Sequence, residues 1–304
     1  MSLEIINPSF FTTIQDNGRV GYCDIGVTNS GVMDSFAYNT LNMLLNNPKN
    51  SNAIEISFSN FEVKFLENTQ MGVCGSDALV YLNEKQISLW QTHNVKKGDI
   101  LKVGKFLSGA KLYFTVKDGF EIHKEFGSNS TTIKEKLGGL NGNFLKKGDI
   151  LKYKYINAHH NSKLKKSFIP KYSDTLELRV MLTYQDNSFD KSEIDKFFNC
   201  EYTITNDFNR MACKLRGKEI KSNINGIISE GIVLGSIQIP SDGQPIILLN
   251  DRQTIGGYPK IGVVLDIDCY KLSQAKPNTK IRFKEISISE ATIKSKEFYC
   301  CFNL

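Results

Sequence analysis

At 304 residues, with 40% hydrophobic and 23% charged side chains, the chain has ordinary globular composition. That excludes a fibrous or disordered protein and suits two domains of about 150 residues each. The 38 basic against 32 acidic residues leave a net charge of +6, a mild excess that suits anionic small molecules or an acidic partner, and no run of aromatics among basic residues supports RNA or DNA binding.

The start, MSLEIINPSFF, lacks the apolar run of a secretory signal, and no stretch approaches the roughly 20 apolar residues of a membrane helix. A cytoplasmic location without membrane association is expected. Seven cysteines, an odd number with no CxxC spacing, point to reduced thiols and against structural zinc. No metal site is expected on this chain: the four histidines form no HExxH, and His159-His160 lies in a polar stretch that reads as linker.

Residues 12–33 are punctuated by Gly18, Gly21, Gly26 and Gly31, which predicts loops carrying Gln15, Asp16, Arg19 and Asp24. The clearest helix follows from about Ser35 to Asn46, with Asp34 as N-cap, Pro48 closing it, and Phe36, Leu41, Leu44 and Leu45 inward. In AIEISF the alternation turns Glu55 away from the Ile54/Ile56 side, onto a solvated face or a barrel mouth. From there to residue 156 the pattern is all-β, with short alternating runs such as KLYFTV broken by glycine.

Two segments, VKKGDILKVGKF (95–106) and LKKGDILKYKYI (145–156), repeat almost identically, and AKPNTKIRFKEI (275–286) is a weaker third copy. Each reads as a turn followed by a strand. Because the third copy falls near the end of the second half, the chain reads as two related β-barrel-like units, each closing with the same element. The expected boundaries are a first domain over 1–156, a polar, basic linker over 157–174, a second domain over 175–289, and a tail over 290–304 with vicinal Cys300-Cys301. In the second half LELRVML and YTIT read as strands; SFDKSEIDKFFN reads as a short helix with Ile194, Phe197 and Phe198 inward, and 268–274 as a last helix.

The densest polar chemistry lies between Ile228 and Lys260, where Glu230, Asp242, Gln244, Asn250, Asp251, Arg252, Gln253, Thr254, Tyr258 and Lys260 alternate with glycines and prolines. GSIQIP and QPIILLN read as two strands joined at Ser241-Asp242-Gly243, where glycine takes the positive φ of a tight turn. The apolar run Ile246–Leu249 suits a strand buried on both faces that delivers NDRQT to a rim. Gly256-Gly257 allows a ligand to approach the backbone. Singly, Asp251 and Arg252 read as well as a surface ion pair; together, so many proton-handling side chains beside a buried strand read as a site.

The string SEGIVLGSIQIPSDGQPIILLNDRQTIGGYPKIGVV resembles the signature of the allophanate hydrolase subunit 2 family, also described as the carboxyltransferase-type C subunit of the bacterial 5-oxoprolinase. TTIQDNGRVGYCDIGVTNSGVMDSFAYNTLNMLLNNPKNSNAIEI (12–56) is similar to that family's N-terminal segment, and FGSNST (126–131) and NRMACKLRG (209–217) match in order between them. The chain departs from the pattern at Cys23, Thr28 and Asn29, where histidine, valine and proline are more usual.

The resemblance implies a mainly β protein with a few short helices, built as two cyclophilin-like β-barrel domains in tandem. It further implies an allophanate hydrolase subunit 1-type (KipI-like) partner and a separate lactam-hydrolase subunit, acting with ATP to open 5-oxo-L-proline to L-glutamate. A lactam is a stable amide, so phosphorylating its oxygen creates the leaving group, a step that needs cations near the phosphate and carboxylates for Mg. By residue type, Arg19, Arg252 and Lys260 suit the first role, and Asp16, Asp242 and Asp251 the second. Asp251, Arg252 and Lys260 are the catalytic candidates. Asp16, Arg19, Asp34, Glu55, Glu230, Asp242, Gln244, Gln253, Thr254, Gly256, Gly257 and Tyr258 are the substrate- or nucleotide-binding ones.

ATP and Mg are expected to be held by the complex, on this chain or on its partner. The chain has no Walker A loop, since GKFLSGAK (104–111) lacks the GK[ST] ending, and no GxGxxG, no GxSxG and no biotin-type AMKM lysine, so no biotin is attached to it. Two other readings stay open: a carboxyltransferase-type part of a urea carboxylase, and a non-enzymatic antagonist of a histidine kinase inhibitor.

Overall fold

A computed structural model describes residues 1–154 and 160–302. The chain divides into two compact units, one comprising Met1–Arg19 and Ser30–Tyr172, the other Val20–Asn29 and Ser173–Leu304.

The first unit holds β1 (Ser2–Asn7), β2 (Thr13–Gln15), α1 (Ser35–Leu44), β3 (Ala53–Ile56), β4 (Phe61–Phe65), β5 (Thr69–Leu82), β6 (Lys85–Gln86), β7 (Thr92–Val95), β8 (Ile100–Val116) and β9 (Ile150–Lys152). They form a nine-stranded half-barrel sheet in the order β2-β3-β8-β4-β1-β9, with β5 pairing β6, β7 and β8. Alternation sets its face: Leu3 and Ile5 of β1, and Phe61, Val63 and Phe65 of β4, enter one core with Leu101, Val103 and Phe114. Under α1, Tyr38, Leu41 and Leu45 pack with Trp90 and Tyr113 in a second cluster.

In the second unit β10 (Thr175–Leu182), α2 (Lys191–Asn199), β11 (Glu201–Phe208), β12 (Ala212–Arg216), β13 (Glu230–Gly231), β14 (Ser236–Gln238), β15 (Ile246–Leu248), β16 (Ile255–Gly256), β17 (Lys260–Val264), α3 (Asp266–Ser273), β18 (Lys280–Glu285) and α4 (Ile288–Cys300) follow in order. Seven strands close a barrel, β10-β17-β14-β15-β12-β11-β18, while β13 and β16 form a separate two-stranded ribbon. The ring is sealed by the parallel pairing of β10 with β18. Phe197 of α2 stacks on Phe283 of β18 at 4.3 Å, with Ile194 and Phe198 only half-buried.

The repeated segment takes one form three times. Gly98, Gly148 and Asn278 occupy the left-handed position of the turn, at φ 93°, 86° and 73°. Asp99 caps Lys96 N at 2.8 Å, Asp149 caps Lys146 N at 2.7 Å, and Thr279 caps Lys276 N at 3.2 Å. Each turn then launches a strand: β8, β9 and β18. β18 pairs with both β10 and β11 and so closes the barrel.

The expected all-β pattern does not hold between β8 and β9. Residues 117–149 are turns joined by isolated bridges, because their polar groups are satisfied by side chains such as Asp16 instead of by a ladder. Residues 155–159 lie outside the described residues, and with them the first three positions of the stretch read as linker, including His159; farther along that stretch Thr92 N donates to Ser162 O at 2.9 Å and Leu164 N to Trp90 O at 2.9 Å, so this part runs along the first unit. The helix over 268–274 is not the last: the tail contains most of α4, opened by a capping box of Ser287 with Glu290. Among the described residues no helix is long and apolar enough to cross a membrane.

Candidate functional site

The sequence-derived site residues divide between the units, and the two groups are built differently. In the first unit Asp16 is 0% exposed, at the end of β2 instead of on an open loop. Its Oδ1 accepts from Gly18 N at 2.9 Å, Ser128 Oγ at 2.5 Å and Ser130 Oγ at 2.6 Å, and its Oδ2 from Asn129 N at 2.7 Å. The carboxylate thus gathers the 128–130 segment. Arg19 is buried beside it, donating Nη1 to Thr132 Oγ1 at 3.0 Å and Nη2 to Ser130 O at 2.5 Å.

Asp34 caps α1, accepting from Ala37 N at 2.8 Å. Its own N–H donates to Tyr113 Oη at 2.8 Å, and Tyr113 donates to Glu55 Oε2 at 2.6 Å, which also accepts from Met33 N at 3.1 Å. Glu55 is therefore buried, not at a solvated face, because β3 is covered on both sides. Burial beside Glu55 and Asp34 pushes the Tyr113 phenol well above its ordinary range, so it stays a neutral donor. Tyr172 reaches Asp34 Oδ2 at 3.3 Å and lines a cavity of about 650 Å³ with Asp77, Trp90, Ser108 and Lys171, which none of the sequence-derived site residues lines.

In the second unit the turn at 241–243 joins β14 to β15 as expected, with Gly243 at φ 67°. It faces β12: Asp242 pairs with Lys214 at 2.9 Å, and Gln244 Oε1 accepts from Gly217 N at 2.8 Å. Asp251 is held in a two-pronged fork by Arg210, Nε to Oδ2 and Nη2 to Oδ1, both 2.9 Å.

The remaining residues gather on the β13–β16 ribbon. Glu230 pairs with Gly256 and Gly231 with Ile255, and Ile232 N donates to Thr254 O at 3.0 Å. Glu230 accepts from Lys260 Nζ and, at 2.5 Å, from Gln185 Nε2. Gln185 Oε1 accepts in turn from Lys260 N at 2.8 Å, so one carboxamide braces both ends of the ion pair. The Lys260 contact, reinforced by Tyr184, holds Glu230 below the usual carboxylate range. The lysine side chain is 5% exposed and its carboxylate 31%, so the pair is open from the Glu230 side.

In the turn that leads into β16, Arg252 is 9% exposed. Its acceptors are neutral: Ile232 O at 3.2 Å, Leu249 O at 3.2 Å and Asn29 Oδ1 at 2.9 Å. Among the described residues no carboxylate pairs with it, and burial lowers its pKa despite the fields of Cys23, Cys269 and Asp251. Asn29 also accepts from Cys23 Sγ at 3.2 Å. A buried cation with only neutral partners is an arrangement that an anion completes. Gln253 and Tyr258 are exposed and Thr254, Gly256 and Gly257 half-buried, which makes them the ribbon's rim.

The family model described as carboxyltransferase domain, subdomain A and B, matches residues 25–285. The chain belongs to this family. Among its relatives, the 5-oxoprolinase C subunit of Escherichia coli (strain K12) is 30% identical over 290 residues, covering 95% of this chain and 93% of that one. The 5-oxoprolinase C subunit of Haemophilus influenzae is 32% identical over 292 residues, with the same coverage of 95% and 93%. Among solved structures, the K. lactis urea amidolyase is similar with a TM-score of 0.91 at 28% identity, over 98% of this chain and 20% of that protein.

Within this carboxyltransferase domain the carboxylates do not fit Mg. Asp16 is saturated by protein donors, Asp251 is closed by the Arg210 fork and Asp242 is tied to Lys214. Among the described residues no three His, Cys, Asp or Glu side chains converge as metal ligands. Three residues that complete the site were missed by sequence reasoning. Gln185 carries no local motif and Arg210, though inside the matching string NRMACKLRG, was given no role there; only the barrel's closure brings them to Lys260 and Asp251. Asn29 reaches Arg252 across 223 positions, a contact that its departure from the family pattern flagged without explaining.

Proposed function

We propose that this chain is a subunit of a cytoplasmic, ATP-dependent 5-oxoprolinase that opens 5-oxo-L-proline to L-glutamate, working in complex with a subunit 1-type partner and a lactam-hydrolase subunit. The observation that carries this reading is the match to two 5-oxoprolinase C subunits over 93% of their length. A nucleotide with its Mg, which would be held by the complex and not by this chain's carboxylates, would supply the phosphoryl group that makes the lactam oxygen a leaving group. Arg252 stabilises the negative charge that develops there, since its guanidinium is already desolvated and lacks a competing carboxylate. Lys260, held by Glu230 and Gln185, provides the second cation, and an incoming anion displaces Glu230 from the open side of the pair. Gln253, Thr254 and Tyr258 hydrogen-bond the substrate from the rim.

The test is ATP consumption and glutamate release from 5-oxoproline by this chain purified with both partner subunits. Arg252→Ala abolishes turnover while the complex still assembles; retained turnover sinks the role of Arg252. If the complex forms but 5-oxoproline is not turned over, the likeness to the urea amidolyase makes carboxyl transfer to a urea-like substrate the reading that stands. Partner binding with no turnover of either substrate would leave a regulatory complex.

A further inference from the structure

Gln238 takes no part in the site described so far. It is 2% exposed, and its Nε2 has no hydrogen-bond acceptor among the described residues. Buried amide donors are nearly always satisfied, so an orphan marks a place where an acceptor is missing.

Its surroundings point to a ligand's oxygen as that acceptor. At Gln238 the ladder between β14 and β17 slips, Ile237 pairing with Gly262 but Gln238 with Lys260, and such a bulge re-aims the side chain it carries. Gly256 lies against the amide: a Cβ there would fall 2.7 Å from Gln238 Nε2 and 2.5 Å from Ile232 Cδ1. Gly256 is in turn the ribbon partner of Glu230, which holds Lys260. An orphaned neutral donor, a glycine whose missing side chain leaves that donor its place, and an anchored cation thus share one corner of the second unit.

We propose that Gln238 is a substrate-binding residue, donating N–H to a carbonyl or carboxylate oxygen of a small planar amide acid bound at that corner. The identity of that ligand as the lactam rests on the 5-oxoprolinase reading; the existence of the donor does not. A neutral amide suits the position because a charged donor there would repel Lys260 and draw Glu230 away from it.

The test uses Gln238→Met, which keeps shape and volume while removing the donor, measured as the isolated chain and in the three-subunit complex. The isolated variant melts at the same or a higher temperature than wild type, because a buried unsatisfied donor is gone. In the complex KM for 5-oxoproline rises about tenfold while kcat stays within about twofold, the signature of lost binding. Gly256→Ala, which pushes the amide aside, produces a KM rise in the same direction. An unchanged KM in an active Gln238→Met complex overturns the proposal, whatever the melting temperature does, and marks the amide as a holder of buried water. If the wild-type complex does not turn over 5-oxoproline, that reading falls by itself and the melt decides: a less stable Gln238→Met chain overturns the proposal, and an equally or more stable one supports it.

Discussion

Asp16 in the first unit and Arg252 in the second are both buried, charged and drawn from strings that match the family, yet they are solved in opposite ways. Around Asp16 protein donors close on both carboxylate oxygens, so nothing is left for a ligand. Around Arg252 only neutral oxygens face the guanidinium, so the charge is solvated but not neutralised. A saturated buried charge holds a fold together, whereas an uncompensated one is held ready for a partner. Buried charges in equally conspicuous motifs therefore divide into scaffold and site according to who accepts and who donates around them.

That contrast breaks first at Asp16. Asp16→Ala orphans the donors on Gly18, Ser128, Asn129 and Ser130, and should destabilise the chain by about 4 kcal/mol or more in urea unfolding. A loss under about 1 kcal/mol would show that the clamp is dispensable and return Asp16 to the ligand contacts.

Next in size is Asp268, a saturated charge in the second unit, which accepts from Arg179 at 2.7 Å twice and from Lys271 at 3.0 Å. Burial alone would raise its pKa, but the Arg179 fork and Lys271 bring it below the usual carboxylate range. A depressed folded-state pKa contributes stability above the unfolded value and loses it as pH falls through the folded one. Asp268→Asn should therefore cost about 3 kcal/mol near neutrality, with the gap to wild type closing below about pH 4 in pH-dependent melts. A gap independent of pH would mean that shape, not charge, is what Asp268 supplies.

Glu230→Gln sharpens the other side of the comparison. Its carboxylate is partly exposed, so stability should fall by only about 1 kcal/mol. Turnover of the reconstituted complex should fall about tenfold or more, because Lys260 loses the group that orients it. Equal, small effects on both would place the pair with the scaffold. Smallest is Asp242→Ala: with its side chain 48% exposed and paired to Lys214, thermal unfolding should register less than about 1 kcal/mol.

Much of the architecture is legible in residue order. Asp34 followed by a helical pattern predicts the cap that Ala37 N confirms, and the two strands around Ser241-Asp242-Gly243 pair as expected. The KKGD repeat announces its turn because glycine or asparagine is needed at the left-handed position and an aspartate or threonine at the next position closes it. Glu55 misleads because strand alternation reports two faces but not whether a helix or another loop covers the outer one; here both are covered. The 117–149 stretch misleads because its order comes from side chains distant in sequence, Asp16 foremost.

By itself, then, the sequence determined the local elements, the family and the ribbon where polar residues crowd, since each depends on neighbours a few positions apart. Only the tertiary structure decided which charges are spent and which are available. Asp251 meets Arg210, Arg252 meets Asn29, and Gln238 meets no acceptor among the described residues, because pairing across a closed barrel is set by register and burial, which residue type alone does not encode.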